Sequence, residues 1–127
     1  MKILPVHQNS CRFRDENVGY EEFYGGLAVG ASPTAEGERV GKALGSKEVM
    51  MLANHGVMIA STSLAICFDT AYYLEQACMI QYKACRAGPV RLIRDDIAKV
   101  TFQQFEDCKQ KYADAHLAGF LHKYKLQ

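Results

Sequence analysis

A chain of 127 residues with 49% hydrophobic, 23% charged and 10% aromatic content has the length of one domain and enough apolar material for a real core. Its 15 Lys and Arg nearly cancel its 14 Asp and Glu, which gives no electrostatic case for a nucleic-acid partner or an anionic membrane surface. No apolar run approaches the ~20 residues of a membrane-spanning helix, and MKILPV is too short for the core of a signal peptide, so the expected location is cytoplasmic.

Residues 1–34 carry Pro5, Gly19, Gly25, Gly26, Gly30 and Pro33 among short apolar pieces, which predicts loops and short strands, with GGLAVGAS the best strand candidate. The text then changes. Thr34 as N-cap, Glu36 and Glu38 in the first turn and a closing Gly45 predict a short helix over about 35–44. KEVMMLA and GVMIAS are consecutive apolar runs of strand length, broken by Asn54-His55-Gly56. Asn and Gly both tolerate positive φ, so the break reads as a tight connection between two buried strands.

Ser63 is placed to cap the strongest predicted helix, about 63–86, in which Leu64, Phe68, Ala71, Leu74, Cys78 and Tyr82 recur at three- and four-residue steps. Lys83 and Arg86 suit its last turn, and Gly88-Pro89 ends it. VRLIRDDIAKV reads as a less regular link to a final helix over about 101–122, with Phe102, Phe105, Cys108, Tyr112, Ala115 and Leu117 or Gly119 inward and a frayed HKYKLQ end. The five cysteines are odd in number and lack a C-x-x-C pair, and three fall in one predicted helix. They read as reduced thiols used as small core residues.

Two glycine patterns carry no nucleotide chemistry. GERVGK has three residues between its glycines where a phosphate-binding loop has four, and Ala43 where Ser or Thr would ligate magnesium. GGLAVG lacks the strand–glycine–helix setting of a dinucleotide fold. His7, His116 and His122 have no partners at ligand spacing and read as surface or partly packed side chains. His55 is set apart by its apolar flanks. An imidazole between buried strands needs a partner, because an unpaired buried polar group costs about 1–3 kcal/mol. A satisfied turn histidine and a metal or substrate ligand both meet that need.

The succession PVHQNSCRF, YEEFYGG, EGERVGKALG, VMMLANHGVMIA and SLAICFDTAYYLEQACMIQYKA resembles the class II aldolase/adducin family from about residue 4 to residue 87. Its specific part is the N-H-G turn followed by the AYYLEQACMIQ helix. The resemblance implies an α/β/α sandwich, a mostly antiparallel sheet covered by helices, and active sites between the subunits of a homo-oligomer. In catalytic members the histidine before this glycine is one of three imidazole ligands of a divalent metal, usually zinc, and His55 holds that position. Such a metal polarises a carbonyl and stabilises an enediolate while a carbon–carbon bond is broken or made in a small sugar phosphate or related hydroxycarbonyl compound.

The family's H-x-H pair, acid–base carboxylate and phosphate-binding residues fall upstream of everything matched here. The expectation is therefore a single partial domain over 1–127, N-terminally truncated against the pattern and lyase-like, but inactive alone. The resemblance also admits a non-catalytic, adducin-like oligomerisation module associated with actin, or a remnant without independent activity.

Overall fold

The computed structural model describes residues 2–21 and 33–126. They fall into two compact units, one of residues 1–14 with 61–127, the other of residues 15–60.

The unit of residues 15–60 holds a three-stranded mixed sheet in the order β1 (Val18–Glu21), β2 (Val49–Leu52), β3 (Gly56–Ile59). Strand β1 runs parallel to β2, with Val18 opposite Val49, and α1 (Pro33–Leu44) lies between them in the chain. A parallel pair needs such a crossover, since a tight turn cannot reverse the chain twice. Helix α1 packs on β1, where Arg39 pairs with Glu21 at 2.9 Å. Helix α1 begins at Pro33, so Thr34, the expected N-cap, falls within its first turn. A proline there gives up only an N–H that would have had no intrahelical partner.

Strands β2 and β3 form an antiparallel hairpin in which Leu52 faces Gly56 and Val49 faces Ile59. The reversal rests on Asn54 at φ 55° and Gly56 at φ 152°, and the His55 N–H donates to the Leu52 carbonyl at 3.2 Å. Among the described residues of this unit, the buried apolar ones are Val18, Val49 and Met50. The far half of the hairpin is open: Gly56 and Val57 are exposed, and Met51, Leu52, Met58 and Ile59 are half-buried. GGLAVGAS lies outside the described residues.

The other unit packs a 3-10 helix (Gln8–Arg12), α2 (Leu64–Ala87) and α3 (Asp95–Tyr124) against one another. Ser63 caps α2 by accepting from the Ile66 N–H at 3.4 Å, and Gly88 at φ 144° ends it. The first turn of α2 contains no acid. Helix α3 begins at Asp95, six residues before the predicted start, and runs on to Tyr124, so neither the link nor the tail is as irregular as expected. Asp95 and Asp96 complement the positive helix N-terminus. Lys125, left-handed at φ 54°, returns its N–H to the His122 carbonyl and closes the helix.

The inward faces differ from the apolar stripes. Leu64 and Tyr82 point outward, 79% and 60% exposed, whereas Leu74 of the same stripe is buried as expected, together with Ala65, Asp69, Thr70, Ala77 and Gln81. In α3 the buried positions are Ala98 and Ala113, while Tyr112 is exposed. Alanine at buried positions lets helices approach closely. All five cysteines are free thiols, but only Cys11 is a core residue.

Candidate functional site

His55 sits at the exposed tip of the β2–β3 hairpin, not wedged between two buried strands. The expectation of burial came from the apolar flanks, but the strand residues beside the turn are those the sheet leaves half open. An imidazole there is reachable by solute, and the left-handed Asn54 and the positive φ of Gly56 fix the backbone on either side of it. Among the described residues no three His, Cys, Asp or Glu side chains converge on a position that would hold a metal. The described residues therefore do not by themselves make up a zinc site, which needs several convergent donors.

The other polar centre lies within the unit of residues 1–14 and 61–127 and was not anticipated. Its middle is Asp69, whose side chain is 3% exposed. Arg12 Nη2 donates to Asp69 Oδ2 at 2.5 Å, and His116 Nδ1 meets Asp69 Oδ1 at 2.8 Å. A carboxylate paired with arginine only accepts, so the proton of the imidazole lies on Nδ1 and, in the neutral ring, the lone pair on Nε2. Among the described residues Nε2 has no hydrogen-bond partner.

Each group is held in place by local structure. Arg12 ends the 3-10 helix, whose start is fixed by His7: the His7 ring Nδ1 accepts from the Asn9 N–H at 3.2 Å, and the His7 N–H donates to Ser10 Oγ at 3.0 Å. His7 is thus a capping residue. The Arg12 guanidinium lies over the rings of Tyr73 and Phe105, 4.4 and 4.9 Å from their centroids. Such contacts favour a cation most when water is excluded. Phe68 and Tyr72 flank the His116 ring at 4.9 and 4.8 Å, the second edge-on.

A cavity of about 290 Å³ opens beside this cluster, lined by Asn9, Arg12, Asp69, Tyr73, Phe105, Tyr112 and His116. A buried carboxylate that fixes an imidazole tautomer prepares the second ring nitrogen as a hydrogen-bond acceptor or base. The sequence offered one signal for it: a lone Asp inside an otherwise apolar helical stripe, which must find a partner if it faces inward.

A parallel–antiparallel sheet with a helical crossover, followed by two long helices, defines an α/β chain. The profile described as "Class II Aldolase and Adducin N-terminal domain" matches residues 1–82. The chain belongs to the class II aldolase/adducin family. It is similar to a putative aldolase class 2 protein of Caulobacter vibrioides, 33% identical over 86 residues that make up 68% of this chain and 32% of that protein. It also resembles the 4-hydroxy-3-prenylphenylpyruvate oxygenase/4-hydroxy-3-prenylbenzoate synthase of Streptomyces roseochromogenus subsp. oscitans, 27% identical over 103 residues, 81% of this chain and 36% of that enzyme. Among solved structures, an aldolase II superfamily protein from Pseudomonas syringae superposes with a TM-score of 0.81 at 27% identity, covering 95% of this chain and 47% of that one. The chain thus spans about a third of the length of these curated relatives and about half that of the solved one.

Proposed function

We propose that this chain is part of a metal-dependent, aldolase-like lyase, in which His55 supplies one imidazole to a divalent metal, zinc by choice, and the remaining donors come from outside the described residues. On this reading residues 1–127 form a single partial domain, and the substrate is a small sugar phosphate or related hydroxycarbonyl compound. The observation that carries the reading is the position of His55: an exposed imidazole on a backbone-fixed hairpin turn, within the stretch matched by the family profile. One relative bearing an aldolase name supports the same chemistry. No catalytic step is assigned to this chain's own side chains.

Self-association belongs to the same reading. Leu64, Tyr82, Val100 and Tyr124 are large apolar side chains, all more than half exposed on α2 and α3, and a second copy of the chain would cover such surface.

The test is metal analysis of the protein purified together with the segment or chain that supplies the remaining donors, against the same assembly carrying His55→Ala. About one zinc per chain that is lost on substitution supports the proposal. No metal in either protein, or equal metal in both, overturns it.

A further inference from the structure

The cavity between the 3-10 helix, α2 and α3 has a built polar wall, and its chemistry narrows what it can take. Arg12 and Asp69 both line it and neutralise one another at 2.5 Å. An anion would meet the Asp69 carboxylate and a cation the Arg12 guanidinium, so the occupant favoured by charge is neutral. His116 contributes an acceptor, since its Nδ1 is committed to Asp69. The occupant therefore carries a hydrogen-bond donor. Tyr73, Phe105 and Tyr112 supply aromatic wall, which suits a flat ring in offset or edge-on contact. A volume of about 290 Å³ lies at the small end of ligand pockets and admits a single ring.

We propose that this cavity is a binding site for a small uncharged phenol, whose hydroxyl donates to His116 Nε2 while its ring packs against Tyr73, Phe105 and Tyr112. Asp69 is the positioning residue: it holds the tautomer that leaves Nε2 able to accept. The site is independent of any metal at His55, so the failure of one proposal does not touch the other.

The experiment is titration of the full chain with phenol at about pH 8, where ordinary imidazole is neutral, read from the ring ¹⁵N resonances of His116 by long-range proton–nitrogen NMR. Phenol should give a saturable shift of Nε2 in the millimolar range. Toluene, which keeps the ring and lacks the donor, should bind roughly tenfold more weakly, the worth of one hydrogen bond. Benzoate should not saturate. His116→Phe removes the reporter nucleus, so its binding is followed by line broadening of phenol's own ring protons and should be weakened at least as much as by loss of the donor in toluene; because it also removes a partner from a buried carboxylate, Tyr112→Ala serves as a second variant. Tyr112 is 52% exposed, so its truncation should weaken phenol binding severalfold and leave the His116–Asp69 contact in place. The proposal is overturned if phenol produces no saturable Nε2 shift, if toluene or benzoate binds as well as phenol, or if Tyr112→Ala binds phenol undiminished.

Discussion

His116 Nδ1 and Asp69 Oδ1 lie 2.8 Å apart and join α3 to α2 across 47 residues of sequence, on a carboxylate that Arg12 holds from its other side. Three segments of the chain are tied at one buried atom group. Removing the carboxylate takes a buried ion-pair partner from Arg12, itself only 11% exposed. Asp69→Ala should destabilise the fold by about 3–5 kcal/mol, the usual penalty for breaking a buried pair from one side. Urea unfolding monitored by circular dichroism checks this, and a loss below about 1 kcal/mol would mean the pair is a solvated surface contact.

Gln81 performs a similar service with uncharged groups. The Leu4 N–H donates to Gln81 Oε1 at 2.6 Å, and Gln81 Nε2 donates to the Lys2 carbonyl at 2.9 Å, so one buried amide satisfies two backbone groups of the N-terminal segment. Gln81→Met preserves bulk but removes both hydrogen bonds. The expected loss is about 1–3 kcal/mol. Native-state hydrogen exchange should show a specific fall in protection at the Leu4 amide.

The cysteines should differ in reactivity by position. Burial raises the Cys11 thiol against the opposing pull of Arg14, and burial followed by Glu75 raises Cys78. Cys85 is exposed. Timed alkylation with mass spectrometry should label Cys85 first and Cys11 last. A raised thiol favours the folded state below the ordinary thiol range, so stability should fall as pH climbs through it, and Cys11→Ser should flatten that alkaline limb.

Asp95 acts in the opposite direction. Hydrogen bonds from Lys99 at 3.0 Å and Arg14 at 3.1 Å hold its carboxyl below the usual range, Lys99 contributing more. A depressed carboxyl stabilises the fold above the ordinary carboxylate range and loses that effect as pH falls through its own lowered value. Asp95→Asn should therefore be less stable than the parent at neutral pH, and the difference should close on acidification. A difference that persists unchanged in acid would show that the helix N-terminus, not ionisation, is responsible.

The elements legible in the sequence were those with local causes. Ser63 and Gly88-Pro89 bound α2 closely, and Asn54 and Gly56 marked the hairpin through their tolerance of positive φ. Inward faces were less legible because apolar character was equated with burial. Leu64 and Tyr82 belong to the apolar stripe yet face out, whereas Asp69 and Gln81 face in. The partners that make burial acceptable are 57 and 77 residues away, a separation no local pattern encodes. The same applies to His116, whose partner lies on another helix. The early start of α3 was written in the sequence as Asp95-Asp96, a first-turn acid pair overshadowed by the irregular apolar spacing before it.

The central claim is that His55 ligates a metal, and cobalt(II) substitution of the same assembly, which includes the remaining donors, tests it most directly. The visible absorption of cobalt is strong in low coordination with protein donors and weak in the hydrated octahedral ion. The account predicts intense visible bands at about one cobalt per chain, displaced by zinc and lost in His55→Ala. A spectrum like that of the hydrated ion, the same in both proteins, would contradict it.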